Sequence, residues 1–346
     1  MLRALAKSAL QKVPARTFSA LSGLTVFYMH GLVETHADPR VQRLHLTVDE
    51  FRQTIRALQH WVRFVSLEEG LDLLKAGRAR APLAVLTSDD GYLDNYELLA
   101  PVAAELGVPW ALFVSTHHIE TGIRFPTYLT RCFAYYVGRG SYSLPGLDGP
   151  IFISANDASR EAASHTLGQA IYRLPQEGVR ALVDAVVEAI GMERQAALDL
   201  KFTSDKPMTW AHVKALADSG VEIGAHCHEH AILHRGQSGG EVARQVAISK
   251  QFVEEKLGRC RYFAFPVGGV RQIGPQAASA VREAGFDAAF TTISGTLPAS
   301  RDRFLHPRVM LHRDAHTNES MFPFVALRFD RALAGAQAAV KATVRA

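Results

Sequence analysis

A chain of 346 residues with 48% hydrophobic content can bury a barrel-sized core, and 38 Lys+Arg against 34 Asp+Glu leave a formal charge of only +4. It has no lysine/arginine run of the kind that holds nucleic acid and nothing near the roughly 20 apolar residues that span a bilayer, so both functions are excluded. Three cysteines, Cys132, Cys227 and Cys260, are odd in number and lack CxxC spacing; this excludes a disulfide framework and a thiolate zinc site and fits a reducing compartment.

The first segment, residues 1–23, reads as a basic amphipathic helix. Leu2, Leu5, Ala9 and Val13 recur at helical spacing among Arg3, Lys7, Lys12 and Arg16, and no acid precedes Glu34. It has three readings: peripheral contact with an anionic membrane surface, an organelle transit peptide, or a helix packed on the domain. No apolar run there reaches the length of a signal-peptide core, so the expected location is cytoplasmic, at most peripheral to an inner membrane.

From Leu24 onward, short β-rich runs alternate with helix-period segments. Seven candidate strands are 24–28, 62–66, 83–87, 110–115, 221–225, 262–265 and 288–292. A helix opens at Thr47 with a Thr47–Glu50 capping box, and Ser66–Glu69 repeats the device. Further helical patterns cover Asn95–Leu106, Thr209–Asp218, Gly240–Leu257 and Pro275–Ala284. Such alternation predicts a parallel α/β sheet, open or closed into a barrel. Residues 119–206 break the rhythm, with loop signals and then a helical stretch near Ala162–Ile190. They are expected to form a mainly helical insertion on the working face of the barrel or a subdomain covering a sheet edge. A C-terminal helical tail is expected over 313–346, with Val325, Phe329 and Leu333 four residues apart.

Parallel α/β proteins place reactive groups beyond the C-terminal ends of strands. Here four strand ends are followed by His30, by Asp89-Asp90-Gly91, by the cluster HCHEHAILH from His226 to His234, and by Pro266-Val267-Gly268-Gly269. If the chain turns helical after the fifth strand, His226 and His230 share a face, with His228 turned away and His234 a turn further on. Two histidines and one carboxylate make a three-ligand site with open positions, as a catalytic zinc or similar divalent ion requires. The paired aspartates then have separate tasks, one binding the ion and one taking a proton, and the cation lowers the cost of holding both ionised. Gly91 permits the sharp turn.

TSDDG, HCHEH and FPVGG, in this order, resemble the motifs of the polysaccharide deacetylases, the carbohydrate esterases with a NodB homology domain (carbohydrate esterase family 4). VFYMHGL and PMTWAHVKALADSGVEIGAH extend the resemblance, which runs from about Leu24 to Arg308 and leaves the insertion poorly matched. It implies a distorted (β/α)7 barrel over residues 24–312 and hydrolysis of an N-acyl group on an amino sugar. By position it implies Asp89 as general base and Asp90, His226 and His230 as ligands of a divalent metal, zinc foremost. The circularly permuted exopolysaccharide-type subgroup takes its general acid from the early YxH segment, which makes His30 that residue here.

Three positions depart from the family pattern: Ser88 stands for a phenylalanine, Cys227 for Ser/Thr, and Ala264 for an arginine. The first is expected to alter packing more than chemistry; the third leaves Arg308 as the candidate to orient Asp89, with a purely structural arginine as the alternative. The expected reaction is metal-assisted amide hydrolysis, with backbone N–H groups at Val267 and Gly268 on the oxyanion side. The expected partner is an amino-sugar glycan or its lipid- or nucleotide-linked precursor in surface-polysaccharide assembly. Rival readings are a sugar N-deformylase of lipopolysaccharide or O-antigen assembly and a non-catalytic glycan-binding module; a zinc peptidase lacks its HExxH.

Overall fold

The computed structural model describes residues 23–60, 62–79, 82–297 and 302–311. The basic helix expected over 1–23, apart from Gly23, and the tail expected over 313–346 lie outside these residues. No helix among them is long and apolar enough to cross a membrane, and the three cysteines are free and buried.

Eight strands form one sheet: β1 (Gly23–Met29), β4 (Arg63–Phe64), β5 (Pro82–Ser88), β6 (Trp110–Val114), β9 (Glu222–Ala225), β10 (Tyr262–Ala264), β11 (Ala288–Phe290) and β12 (Val309–Met310). Two small pairs stand apart, β2 (Gly31–Val33) with β3 (His45–Thr47) and β7 (Gly140–Tyr142) with β8 (Ile151–Ile153). The sheet runs β11-β10-β9-β6-β5-β1-β12, with β4 against the start of β5, and every pairing in it is parallel. It curls into a barrel, because His306 bridges to Phe290 while Val309 pairs with Phe27, so one segment touches both ends of the sheet.

The period of two along each strand divides the apolar residues between two cores. Leu24 and Val26 gather with Val85, Phe113 and Phe290, whereas Phe27, Leu86, Leu112 and Val114 pack against the surrounding helices. Those helices are α1 (Val48–Gln59), α2 (Leu67–Lys75), α3 (Ala100–Glu105, entered through a π-helical turn at Asn95–Leu99), α9 (Trp210–Asp218), α10 (Gly239–Leu257) and α11 (Ala277–Glu283). The Thr47–Glu50 capping box forms with both of its bonds, at 3.2 and 2.7 Å. The Ser66 device forms only by half: Ser66 caps Glu69 N–H, but the Glu69 side chain pairs with Arg63 instead. The next orphan donors, Leu67 and Glu68 N–H, are taken by the Glu222 carboxylate at 2.6 and 3.0 Å, a longer-range solution to the same unpaired helix end.

Between β6 and β9 run α4 (Thr116–Thr121), α5 (Pro126–Tyr136), α6 (Asp157–Arg173), α7 (Gln176–Ile190) and α8 (Met192–Lys201). They build a separate apolar core around Phe133, Leu167, Leu182, Val186 and Phe202. Tyr92, Ile232 and Val267, on loops that follow β5, β9 and β10, join it to the barrel.

Candidate active site

The loops after β5, β9 and β10 are held in conformations that L-residues rarely adopt. Among the described residues the non-glycine residues with positive φ are Asp90 (77°), Cys227 (61°), His230 (53°) and Val267 (60°), and each lies in one of the three motif segments. Such backbone costs about 1–3 kcal/mol per residue and persists only where its surroundings over-determine it. Around Asp90 they do: Asp89 N–H bonds Met29 O, Gly91 N–H bonds Asp89 O, and Ser115 N–H bonds Asp90 O, at 3.0, 3.0 and 3.2 Å.

His226 and His230 meet, but not by the helical turn expected from their spacing. The chain after β9 is irregular from His226 to Gln237; the left-handed residues Cys227 and His230 fold it back so that the two rings stand 5.0 Å apart at 60°. His226 Nδ1 donates to Ala264 O at 2.8 Å, which fixes the tautomer and leaves the Nε2 lone pair free. Asp90 Oδ1 lies 3.3 Å from His226 Nε2 and 3.2 Å from His230 Nε2. It is buried without a hydrogen-bond partner, and the three ligand atoms fall within 4.8 Å of one another. Two imidazole nitrogens and an orphaned carboxylate oxygen at this separation suit a divalent cation such as zinc. His228 turns away to Thr116 and His117, and His234 bonds Leu174 O, so neither joins the group. Cys227 is packed in the barrel core.

Asp89 faces Arg308. The guanidinium donates Nη1 to Oδ1 at 2.8 Å and Nη2 to Oδ2 at 2.7 Å, and both groups are buried. Thr87 Oγ1 and Thr291 O hold the remaining side of the arginine, and Tyr28 lies under it at 4.5 Å. Burial works to raise the Asp89 pKa, but the Arg308 charge outweighs it, so the carboxyl stays below its usual range. The structure thus brings Arg308, the candidate named once Ala264 stood in the arginine's place, into direct contact with Asp89.

His30 lines the same cleft, with Nδ1 buried and unpartnered. Burial lowers its pKa, against the opposing pull of Asp90 and Asp89. Its carbonyl is clamped by Asn95 Nδ2 at 2.9 Å and Ser88 Oγ at 2.8 Å, and Asn95 Nδ2 also reaches Asp94 Oδ1 at 2.6 Å. Ser88 is therefore a polar anchor for the His30 segment.

The Pro266–Gly269 turn also departs from expectation. Gly268 N–H is spent on Pro266 O at 2.6 Å, so it cannot face an oxyanion; Val267, which lines the cleft, keeps an N–H with no acceptor among the described residues. At Gly268 φ is +47°, and a Cβ would approach Phe265 O to 2.8 Å and Thr292 N to 2.9 Å, so only glycine fits.

Sequence reasoning missed three neighbours. Tyr92 faces Asp90, and burial together with that charge raises its phenol well above the ordinary value. Glu229, next to His230, accepts from Arg180 of α7 and Arg244 of α10, both at 2.6 Å; burial works to raise its pKa, but these partners hold it low. Arg131 of α5 reaches the cleft from the insertion. Its signal was available: it is the one charge in PTYLTRCFAYY, a helix apolar on nearly every side and buried accordingly.

A family model described as polysaccharide deacetylase matches residues 76–289. The Streptococcus pyogenes deacetylase PplD in complex with acetate superposes with a TM-score of 0.57 at 14% identity, covering 87% of this chain and 97% of the other. IcaB from Ammonifex degensii gives 0.53 at 20% identity, covering 88% and 98%. A de-N-acetylase from Aggregatibacter actinomycetemcomitans gives 0.51 at 13%, covering 84% and 95%. These likenesses show the barrel fold, and no curated protein matches the chain. Because the family model spans more than half of the 346 residues and takes in Asp89, Asp90, His226, His230 and the Pro266 turn, the chain belongs to the polysaccharide deacetylase family.

Proposed function

We propose that this protein is a metal-dependent hydrolase that removes an N-acyl group, acetyl in the leading case, from an amino sugar of a surface polysaccharide or of its lipid- or nucleotide-linked precursor. The observation that carries the reading is the placement of Asp90, His226 and His230 around one point, with a second, arginine-held carboxylate at Asp89 in the same cleft. A divalent cation held by those three residues would polarise the acyl carbonyl and make water more acidic.

The chain's own groups divide the remaining work. Asp89, ionised and oriented by Arg308, takes the proton of the attacking water. The Val267 N–H supports the oxyanion. His30, which lines the same cleft, delivers a proton to the departing amine. His226 keeps its ligating nitrogen aimed through the Ala264 bond. The cytoplasmic location expected from the sequence belongs to the same proposal and is checked by cell fractionation.

The test pairs metal quantification by mass spectrometry with release of acetate or formate from N-acetyl and N-formyl amino sugars. Stoichiometric zinc or a similar cation, lost in Asp90→Ala together with acid release, is the expected result. Formate release in place of acetate would move the reading to a deformylase. A metal-loaded protein that releases neither acid, yet binds glycan, would overturn the catalytic reading in favour of a binding module.

A further inference from the structure

The cleft has charge on two sides. At its floor the carboxylates are Asp89 and Asp90, the first neutralised by Arg308 and the second facing the two histidines. Its wall is basic: Arg43, beside β3, and Arg131, from α5, both line it. Arg43 spends one nitrogen on Ser164 Oγ at 2.8 Å. Arg131 is 7% exposed, its Nε has no hydrogen-bond partner, and among the described residues no carboxylate comes within ion-pair distance of either arginine. Asp205, which shares neighbours with Arg131, accepts instead from Gln42 at 2.7 Å and faces His45. A guanidinium nearly buried and without an acid in ion-pair distance is costly to keep, and its planar fork of donors matches a carboxylate or phosphate.

We propose that Arg131, with Arg43 on the same wall, binds an oxyanion carried by the substrate, so that the amino sugar is an anionic one bearing a phosphate or a carboxylate near the N-acyl group. The inference rests on the N-acyl hydrolase reading only for the words amino sugar and acyl; the anion site stands on the wall itself. A neutral polysaccharide would leave the Arg131 fork desolvated and unpaired in the complex, whereas an anionic substituent completes it.

The experiment is calorimetric titration of the metal-loaded protein with glucose, glucose 1-phosphate and glucuronic acid. None of the three carries an acyl group, so turnover cannot blur the result. Charge-assisted pairing with a buried arginine predicts that an anionic sugar binds about 10–100-fold more tightly than glucose, and whichever anion wins identifies the substituent. The preference should vanish in Arg131→Met and survive in part in Arg131→Lys. Arg131→Met should also melt at or above the wild-type temperature, since it removes an uncompensated buried charge. Equal affinity for all three sugars, no binding by any, a preference that persists in Arg131→Met, or a marked fall in that variant's melting temperature with Arg131→Lys restoring it would each overturn the proposal. If N-acetyl sugars are not hydrolysed while the anion preference holds, the proposed reaction fails and the anion site remains.

Discussion

The barrel rim and the insertion are built on opposite principles. Every non-glycine residue of positive φ among those described sits at the rim, whereas between residues 119 and 206 the left-handed positions are Gly122, Gly146 and Gly191. The rim buries Asp89, Asp90, His226 and Arg308; the insertion buries Phe133, Leu182, Val186 and Phe202. The charged residues thus sit on strained, hydrogen-bonded turns anchored by a parallel sheet, and the insertion beside them is carried by ordinary helix packing. A site that must hold like charges close together needs a rigid frame. A wall that carries no such pair needs only to keep its shape, which side-chain packing supplies.

Breaking the rim should give the largest effects. Asp89→Asn is expected to lower kcat by about 10²–10⁴ while metal content stays at the wild-type level, a split that turnover assays and mass spectrometry read together. Loss of the metal in that variant would mean that Asp89, and not Asp90 alone, is a ligand. Arg308→Met leaves the Asp89 charge buried and unpaired, so unfolding in urea should lose about 3–5 kcal/mol. The double variant with Asp89→Asn should lose less than the sum of the two, because each removes the partner of the other.

The insertion responds through packing. Leu182→Ala, at a fully buried position, should cost about 2–5 kcal/mol in urea unfolding yet leave metal affinity unchanged; a parallel fall in metal content would show that the two regions are not separable. Val267→Gly tests the rim's backbone. Relief of a left-handed β-branched residue, about 1–2 kcal/mol, is offset by glycine's added chain entropy of about 0.5–1 kcal/mol, so stability should rise by at most about 1.5 kcal/mol while turnover falls.

The smallest effect is expected at the joint between the two regions, where Asp38 accepts from Arg40 and from Tyr136 of the insertion. Burial works to raise its pKa, but the Arg40 bond prevails and brings it to about 2. A carboxyl depressed on folding stabilises above its unfolded value, near 3.9, and loses that contribution as pH falls toward 2. The stability gap between wild type and Asp38→Asn should therefore narrow in urea melts between pH 7 and pH 3. A gap that widens with acid would contradict the assignment.

Much of this architecture is written in local patterns. Short β-rich apolar runs marked β1, β5, β6, β9, β10 and β11 within one or two residues, and the Thr47–Glu50 pair marked the start of α1. Short pairings such as Val309–Met310 and Gly31–Val33 have no room for a period and rest on partners remote in sequence. The run expected to give a full strand at 62–66 pairs only through Arg63 and Phe64. At the site, the residue types after each strand and the family resemblance together named Asp89, Asp90, His226 and His230. The reason given for the histidines was incomplete: spacing suggested a helical turn, and left-handed backbone at Cys227 and His230 does the work, which no pattern of side chains reveals. Arg308 was reached only because Ala264 left a place to fill, and the Gly268 donor was misjudged because a turn's internal hydrogen bond depends on its exact dihedrals.

One contact gives the histidine loop a second role. Glu229 adjoins His230 and is gripped at once by α7 of the insertion and α10 of the barrel. The loop that carries the ring at position 230 is thereby fastened to both bodies at once, so that one carboxylate ties the insertion, the barrel and a member of the Asp90, His226 and His230 group together.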